Sequence, residues 1–326
     1  MDAPASPAFP AKIWVKIFGN LSAFQLTRTR LVCRQWYGIV CGEPSLIGKF
    51  TIARVEDFAH EEQEQNVNKP AALNAMRRVH LVNAINIPLD TSWLALGENL
   101  TFLSLDACCI GTDALVEMLR RAANLESLRM NDRFCFRQKC QTAINFKLEK
   151  MRNLDLRVEN LSEALRHCPN INNLSLGPCS FEDPTEMSTA IAQLPLLATL
   201  TLLVMSEYLP VECPAPWTVT ELALYSCSVS EQAVTQLARQ CPQLAGISFD
   251  RCAMTGNTVV AMWRQFGARL KSVTLHDCRS LGCEFVDCFV EQRCQLERLT
   301  VWNCRLDSAS KQRLRVGLGG VHLKLK

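Results

Sequence analysis

The most regular feature of the chain is an alternation of apolar and polar residues that returns along most of its length. The unit reads Leu-x-x-Leu-x-Leu-x-x-Cys, with other apolar residues replacing some of the leucines. Its alternating part is typical of a half-buried β-strand, in which every second side chain faces the core. The last apolar residue of each predicted strand falls at ten positions, 20 to 26 residues apart: 81, 105, 130, 156, 176, 202, 224, 249, 275 and 301.

Helical patterns fill the intervals between these predicted strands. Residues 113–121 and 230–239 place apolar side chains three and four positions apart, and Pro242 ends the second pattern before the next strand. A single strand with its helix buries too little apolar surface to be stable alone, so successive units must stack. The pattern therefore predicts an α/β fold over residues 76–326, with one parallel sheet running through the stack.

A cysteine follows six of the predicted strands, three residues after the last apolar position. Its side chain is small and weakly polar, which suits a buried turn. The chain holds 17 cysteines, and its N-terminus shows neither the basic nor the apolar region of a secretory signal. We therefore expect reduced, structural and unreactive thiols in a cytoplasmic and/or nuclear protein. The six positions are Cys108, Cys179, Cys227, Cys252, Cys278 and Cys304.

The first fifty residues follow a helical pattern and contain no copy of the repeat. Ile13, Ile17 and Leu21 are four residues apart and lie on one apolar helix face. Ser22 and Gln25 form a capping box, which opens a second helix. Three short helices bury little apolar surface, so we expect the apolar excess to contact a partner.

Two family resemblances rest on these residues. The repeat resembles the cysteine-containing leucine-rich repeat, which implies a curved solenoid with a concave parallel sheet. The N-terminal segment closely resembles an F-box, which implies a three-helix domain over residues 1–50. F-boxes bind the acidic Skp adaptor of cullin-RING ubiquitin ligases. The matching positions are Phe9, Pro10, Ile13, Ile17, Phe18, Leu21, Leu26, Val32, Cys33, Arg34, Trp36 and Leu46.

The F-box resemblance assigns adaptor binding to nine of these positions. Six basic residues against two acidic ones in positions 1–50 suit an acidic partner, chiefly by steering its approach. Ala11 and Lys12 replace the usual acidic pair, a departure that bears on docking and not on the fold. Residues 51–75 are predicted to be a connecting segment, because 56–69 are polar and acidic. The nine positions are Pro10, Ile13, Ile17, Phe18, Leu21, Leu26, Val32, Cys33 and Trp36.

One row of side chains on the predicted sheet is a candidate for target binding. The position just after the last apolar strand residue reads Tyr225, Asp250, His276 and Trp302 on four successive strands. Exposed aromatic residues beside charges are typical of binding hot spots. We predict that this row binds an extended segment of a target protein, with Asp250 selecting a basic group. Three alternatives stay open: the row fills the surface without a partner, the convex helices bind the target, or the repeats around Arg129 and Arg157 bind it.

Other functions find little support in the sequence. The net charge of +3 is too balanced to indicate nucleic-acid binding, and the longest apolar stretch is far shorter than the roughly 20 residues of a membrane helix. Cys278, Cys283, Cys288 and Cys294 lack the close C-x2-C pairs of strong zinc sites. With five histidines and no visible nucleophile–base arrangement, we expect neither catalysis nor a metal or cofactor.

Together these features predict the substrate receptor of an SCF-type ubiquitin ligase. The F-box would bind the Skp adaptor and so the cullin-RING core, while the repeats hold an unidentified target protein. The receptor would perform no bond chemistry, because its effect is to position a target lysine. A non-degradative scaffold that assembles a complex through its repeats is the main alternative. A third hypothesis, a ligand-binding or enzymatic repeat protein, needs a set of pocket residues that the sequence does not show.

Overall fold

The structure is a computed structural model that describes residues 9–47, 49, 51–55, 77–82, 96–108, 112–131, 146–156, 165–177, 184–203, 215–291 and 295–325. The chain divides into two compact units, residues 1–151 and 152–326. Most of the predicted connecting segment lies outside the described residues, as do Arg157, Cys179 and Cys294. No helix in the described ranges is long and apolar enough to cross a membrane.

The first unit begins with four helices, where three were predicted. They are α1 (Ala11–Phe18), α2 (Ala23–Thr29), α3 (Arg34–Gly42) and the short α4 (Pro44–Ile47). The predicted capping box is confirmed at the start of α2. The Gln25 N–H donates to Ser22 Oγ at 3.3 Å, and the Ser22 N–H donates to Gln25 Oε1 at 2.9 Å. These bonds satisfy backbone donors that a helix N-terminus otherwise leaves without partners.

The four helices share one apolar core, to which each contributes a fully buried side chain: Phe18, Leu26, Val40 and Leu46. The Phe18 ring lies 5.4 Å from that of Trp14 and 5.2 Å from that of Trp36, between ring centroids. Trp14 and Trp36 are themselves 4.8 Å apart. Such tilted and edge-on aromatic contacts add stability beyond the apolar area they bury.

The sheet of the first unit has four described strands in chain order, all parallel. Helix α5 (Thr112–Arg121) connects the last two of them. The first strand corrects the predicted connecting segment, because residues 51–55 pair with the next strand from Thr51 opposite Arg78 to Val55 opposite Val82. The strands are β1 (Thr51–Val55), β2 (Arg78–Val82), β3 (Phe102–Asp106) and β4 (Ser127–Asn131).

The second unit continues the same strand–helix alternation with eight described parallel strands. The predicted strands are confirmed, and the strand after Val321 is an addition to them. The strands are β5 (Asn153–Leu156), β6 (Asn173–Leu176), β7 (Thr199–Leu203), β8 (Glu221–Tyr225), β9 (Gly246–Asp250), β10 (Ser272–His276), β11 (Arg298–Trp302) and β12 (His322–Leu325). The helices are α6 (Pro184–Ala192), α7 (Glu231–Gln240), α8 (Gly256–Phe266), α9 (Val286–Glu291) and α10 (Ser308–Gly317).

The core of this unit lies between its strands and helices. The alternate strand residues predicted to face inward are buried, among them Leu224, Phe249 and Leu275. On the helix side, the Trp263 ring of α8 packs against Phe289 of α9 at 4.4 Å between centroids. Strand and helix therefore bury their apolar faces against each other, as stacked repeats require.

A recurring turn follows five of the described strands and fixes the side chains that precede it. Ala107, Ser226, Arg251, Asp277 and Asn303 adopt left-handed backbone, with φ between 51° and 53°. In the second unit the N–H groups of Ser226, Arg251 and Asp277 donate to the last carbonyl of the following strand, at 2.8 to 2.9 Å. This bond ties each turn to its neighbour, so the last side chains of successive strands stay in register.

Candidate functional site

The helices of the first unit expose a set of large apolar side chains. Ile13 and Ile17 lie on the solvent side of α1, and Phe9, four residues before Ile13, is exposed just ahead of the helix. Leu31 and Val32 are exposed in the turn between α2 and α3, and Tyr37 is exposed on α3. Apolar side chains exposed in such numbers on a small domain mark an interaction surface. We call these residues the helical apolar surface.

The nine predicted adaptor-binding residues differ in how exposed their side chains are. Leu21 and Trp36 are half-buried, while Phe18 and Leu26 are fully buried in the helical core. Phe18 and Leu26 are enclosed by their own domain, so their side chains stabilise the helices, and adaptor binding by the nine residues stays a prediction. Leu31 and Tyr37 are also exposed and are not among the nine. The exposed members of the nine are Pro10, Ile13, Ile17, Val32 and Cys33.

The charge around the helical apolar surface is basic. Lys12 and Lys16 are exposed on α1, and Glu43 is the one acidic residue among the described residues of positions 1–50. Lys49 has a structural role, since its Nζ donates to the carbonyl oxygens of Gly19 and Leu21. A positive field beside an apolar face suits a partner of opposite charge.

On the sheet of the second unit, the four predicted target-binding residues stand in one row. Tyr225 is opposite Asp250, Asp250 is opposite His276, and His276 is opposite Trp302. All four side chains are half-buried, which leaves part of each available to a partner. The row exists as the spacing predicts, and its target-binding role stays a prediction. We call it the aromatic–acid row.

Asp250 has two hydrogen-bonding partners within the chain. His276 Nδ1 lies 3.0 Å from its Oδ2, and Arg251 Nε donates to its Oδ1 at 3.0 Å. Both carboxylate oxygens thus have a partner within the chain, and each oxygen keeps a further lone pair. The contact with His276 helps to orient the imidazole, and selection of a basic group by Asp250 stays a prediction. An imidazole that donates from Nδ1 presents Nε2 as a hydrogen-bond acceptor when neutral.

Trp302 lies between two groups that can carry positive charge. Its ring is 5.8 Å from that of His276 between centroids, and Lys324 Nζ is 5.6 Å from its centroid. A cation near an aromatic face is attracted by the negative charge density of the ring. The indole is therefore supported from both neighbouring strands.

A row of small hydroxyl side chains runs beside the aromatic–acid row. Ser248, Thr274 and Thr300 occupy adjacent register positions on β9, β10 and β11. Their short side chains leave space above the sheet and offer both hydrogen-bond donors and acceptors. An extended peptide has the backbone N–H and C=O groups that such a surface can bind.

The first unit holds a second polar cluster on its own sheet. His80 Nε2 lies 2.6 Å from Asp106 Oδ2, Ser104 Oγ donates to the same oxygen at 3.4 Å, and Arg129 Nε is 4.0 Å from Asp106 Oδ1. This cluster contains Arg129, the described member of the alternative binding face. Among the residues that the structure describes, no group of three or more His, Cys, Asp or Glu is arranged to hold a metal ion.

Comparisons with known proteins give one family match and several distantly similar solved structures. The family described as F-box-like matches residues 8–52. A search of curated protein sequences finds no match. Three solved structures are each 13% identical to this chain. A TLR13–ssRNA13 complex covers 85% of this chain and 37% of its own, with a TM-score of 0.47. An internalin from Listeria monocytogenes covers 78% and 77%, with a TM-score of 0.40. A leucine-rich-repeat protein of Leptospira interrogans covers 87% and 97%, with a TM-score of 0.25.

This chain thus spans little more than a third of the first of these three structures. The in-register parallel strands and the recurring turns are what identify residues beyond the helices as leucine-rich repeats. The chain therefore combines an N-terminal segment that matches the F-box-like family with repeats of the leucine-rich-repeat type.

Proposed function

We propose that this protein is the substrate receptor of an SCF-type ubiquitin ligase. In this proposal the helical apolar surface binds the Skp adaptor, and the aromatic–acid row binds the target. The observation that carries the proposal is the set of exposed apolar side chains Ile13 and Ile17 on α1 and Phe9 just before it, within a segment that matches the F-box-like family. A separate repeat sheet on the same chain supplies the second binding surface.

The helical apolar surface has the chemistry that adaptor binding requires. Its apolar side chains lose contact with water when a partner covers them, which is the main source of affinity in such interfaces. Lys12 and Lys16 lie on the same helix and favour the approach of an acidic protein. Their long-range attraction raises the association rate more than the final affinity.

The mechanism is one of positioning. A receptor that holds the adaptor and the target at once makes their encounter intramolecular, and this raises the effective concentration of the target lysine near the charged ubiquitin-conjugating enzyme. No residue of this chain needs to touch the reacting atoms. His276, Trp302 and Tyr225 act only by holding the target on the sheet.

Affinity purification with mass spectrometry tests both surfaces in one experiment. The full chain is compared with two double variants, Ile13→Asp with Ile17→Asp, and Tyr225→Ala with Trp302→Ala. The first should lose the Skp adaptor and keep the target, whereas the second should keep the adaptor and lose the target.

The matched control is Val316→Asp, which places the same new charge at an exposed apolar position on α10. This variant should retain both partners. If Ile13→Asp with Ile17→Asp still retrieves the adaptor, the helical apolar surface is not its binding site. If the target is recovered but its turnover does not depend on the adaptor, the protein is a scaffold and not a degradation receptor.

A further inference from the structure

The repeat cysteines form a column in which equivalent thiols make equivalent hydrogen bonds. Each Sγ donates to the carbonyl oxygen at the last apolar position of the preceding strand, at distances of 3.3 to 3.7 Å. Each Sγ also lies 3.4 to 3.5 Å from the carbonyl oxygen of the last residue of its own strand, a second acceptor for the same single proton. The thiols with both contacts are Cys108, Cys252, Cys278 and Cys304.

Within this column, neighbouring thiols also contact each other in two pairs. Cys227 Sγ and Cys252 Sγ are 3.4 Å apart, and Cys278 is hydrogen-bonded to Cys304. Cys227, Cys252 and Cys278 are buried, but Cys304 is only half-buried. A dissolved oxidant can therefore reach the second pair through Cys304 and has no comparable access to the first.

Cys304 also departs from the expectation that these thiols are uniformly unreactive. The hydrogen bond from Cys278 lowers the pKa of Cys304 to about 7, and the nearby His276 acts in the same direction. The hydrogen bond from Cys227 also lowers the pKa of Cys252, but Cys252 is buried, so exposure is what sets Cys304 apart. Burial raises the pKa of Cys168 and Cys241 to about 12. A substantial fraction of Cys304 is thus thiolate near neutral pH, the form that acts as a nucleophile.

We propose that Cys304 and Cys278 are a peroxide-sensitive pair that closes to a disulfide between the turns after β10 and β11. The Cys304 thiolate attacks one peroxide oxygen, the O–O bond breaks, and hydroxide leaves behind a sulfenic acid. The Cys278 sulfur then attacks the Cys304 sulfur, forms the S–S bond and releases water. Two thiols are oxidised by two electrons, and one peroxide is reduced to two waters.

The strand register permits this bond. His276 and Trp302 are directly paired, and the two cysteines follow them at the same offset. Equivalent positions on neighbouring strands are about 4.7–4.9 Å apart, within the roughly 4.4–6.8 Å between the Cα atoms of disulfide-bonded residues. Closure leaves neither sulfur with a proton to donate to the carbonyl oxygens of His276 and Trp302, which lie 3.5 Å from them. Oxidation thereby alters the backbone contacts directly beneath the aromatic–acid row.

Peptide mapping of the folded full-length protein after treatment with hydrogen peroxide tests the pair. Trypsin separates the two thiols into residues 272–279 and 299–305, each with a single cysteine. We expect these two peptides to be joined under non-reducing conditions and released by a reductant. The Cys227–Cys252 pair is the internal control, and both of its thiols should remain reduced and open to alkylation after unfolding.

Two variants separate this pair from other thiols. Cys304→Ser should abolish the link, whereas Cys283→Ser should leave it intact, although Cys283 is also half-buried nearby. Cys278→Ser should leave a Cys304 sulfenic acid that a dimedone probe can trap. The proposal is overturned if Cys304 stays reduced, if it oxidises without joining Cys278, or if Cys227 and Cys252 join equally fast.

Discussion

Two adjacent residues of α1, Ile17 and Phe18, should respond to truncation in opposite ways. Phe18 is 2% exposed and contacts both Trp14 and Trp36, whereas Ile17 is 46% exposed. Removing a buried phenyl ring leaves a cavity and costs about 3–5 kcal/mol of stability. Phe18→Ala should therefore unfold the helical domain or strongly lower its melting temperature.

Ile17→Ala should barely change the free energy of unfolding, because surface substitutions usually stay within about 0.5 kcal/mol and alanine favours the helix. Its effect should appear in adaptor binding. Burying a whole isoleucine side chain contributes about 1.5–3 kcal/mol. Since roughly half of Ile17 is still exposed, docking can gain about 1 kcal/mol from it. Ile13 is 41% exposed, so the double alanine variant should lose about 2 kcal/mol, or roughly thirtyfold in Kd.

The assay pairs thermal unfolding of the full chain with calorimetric titration of purified Skp adaptor. Phe18→Ala should lower the melting temperature, and any loss of adaptor binding by this variant should result from that loss of stability. The double alanine variant should melt like the wild type and bind more weakly. If Ile17→Ala destabilises the protein as much as Phe18→Ala, or if the double variant binds normally, the division of α1 into core and docking faces is wrong.

Three further predictions concern other parts of the chain. Tyr225→Ala with Trp302→Ala should abolish target capture in a pull-down, since each aromatic side chain that the target buries contributes roughly 1–3 kcal/mol to binding. The melting temperature of this variant should stay close to that of the wild type. The rate of Cys304 alkylation by iodoacetamide should rise roughly tenfold from pH 6 to pH 8, as its pKa of about 7 requires, and a flat profile would contradict that pKa. Ser22→Ala should lower the free energy of unfolding by about 1 kcal/mol in denaturant titration, because it removes the capping box of α2.

The repeat sheet was largely predictable because its signal is periodic. An apolar residue at every second place of a strand produced the same pattern in each copy, and tertiary structure did not override it. Strand β1 was not predicted from the sequence, because Arg54 occupies the position opposite Leu81 and interrupts the apolar alternation. β12 carries the same signal in Leu323 and Leu325, which pair with the predicted strand positions of β11, and it could have been found from them.

The sequence could predict where the candidate site residues lie, but not which side chains they contact. The strand register alone placed Asp250 beside His276. Only the structure shows that the two side chains are hydrogen-bonded and that Arg251 donates to the other carboxylate oxygen of Asp250. Likewise, helical periodicity put Ile17 and Phe18 on one broad apolar side of α1. The position of α3 decides which of them is enclosed, and a single helix pattern contains no information on that.

The most direct test of the proposed function is calorimetric titration of purified Skp adaptor into the full-length protein. The account predicts saturable binding at one adaptor per chain, loss of binding in the Ile13→Asp, Ile17→Asp double variant, and unchanged binding in Val316→Asp. Each variant is first confirmed as folded by its melting temperature. Absence of binding to the folded wild-type chain, or equal binding by the double aspartate variant, would contradict the account.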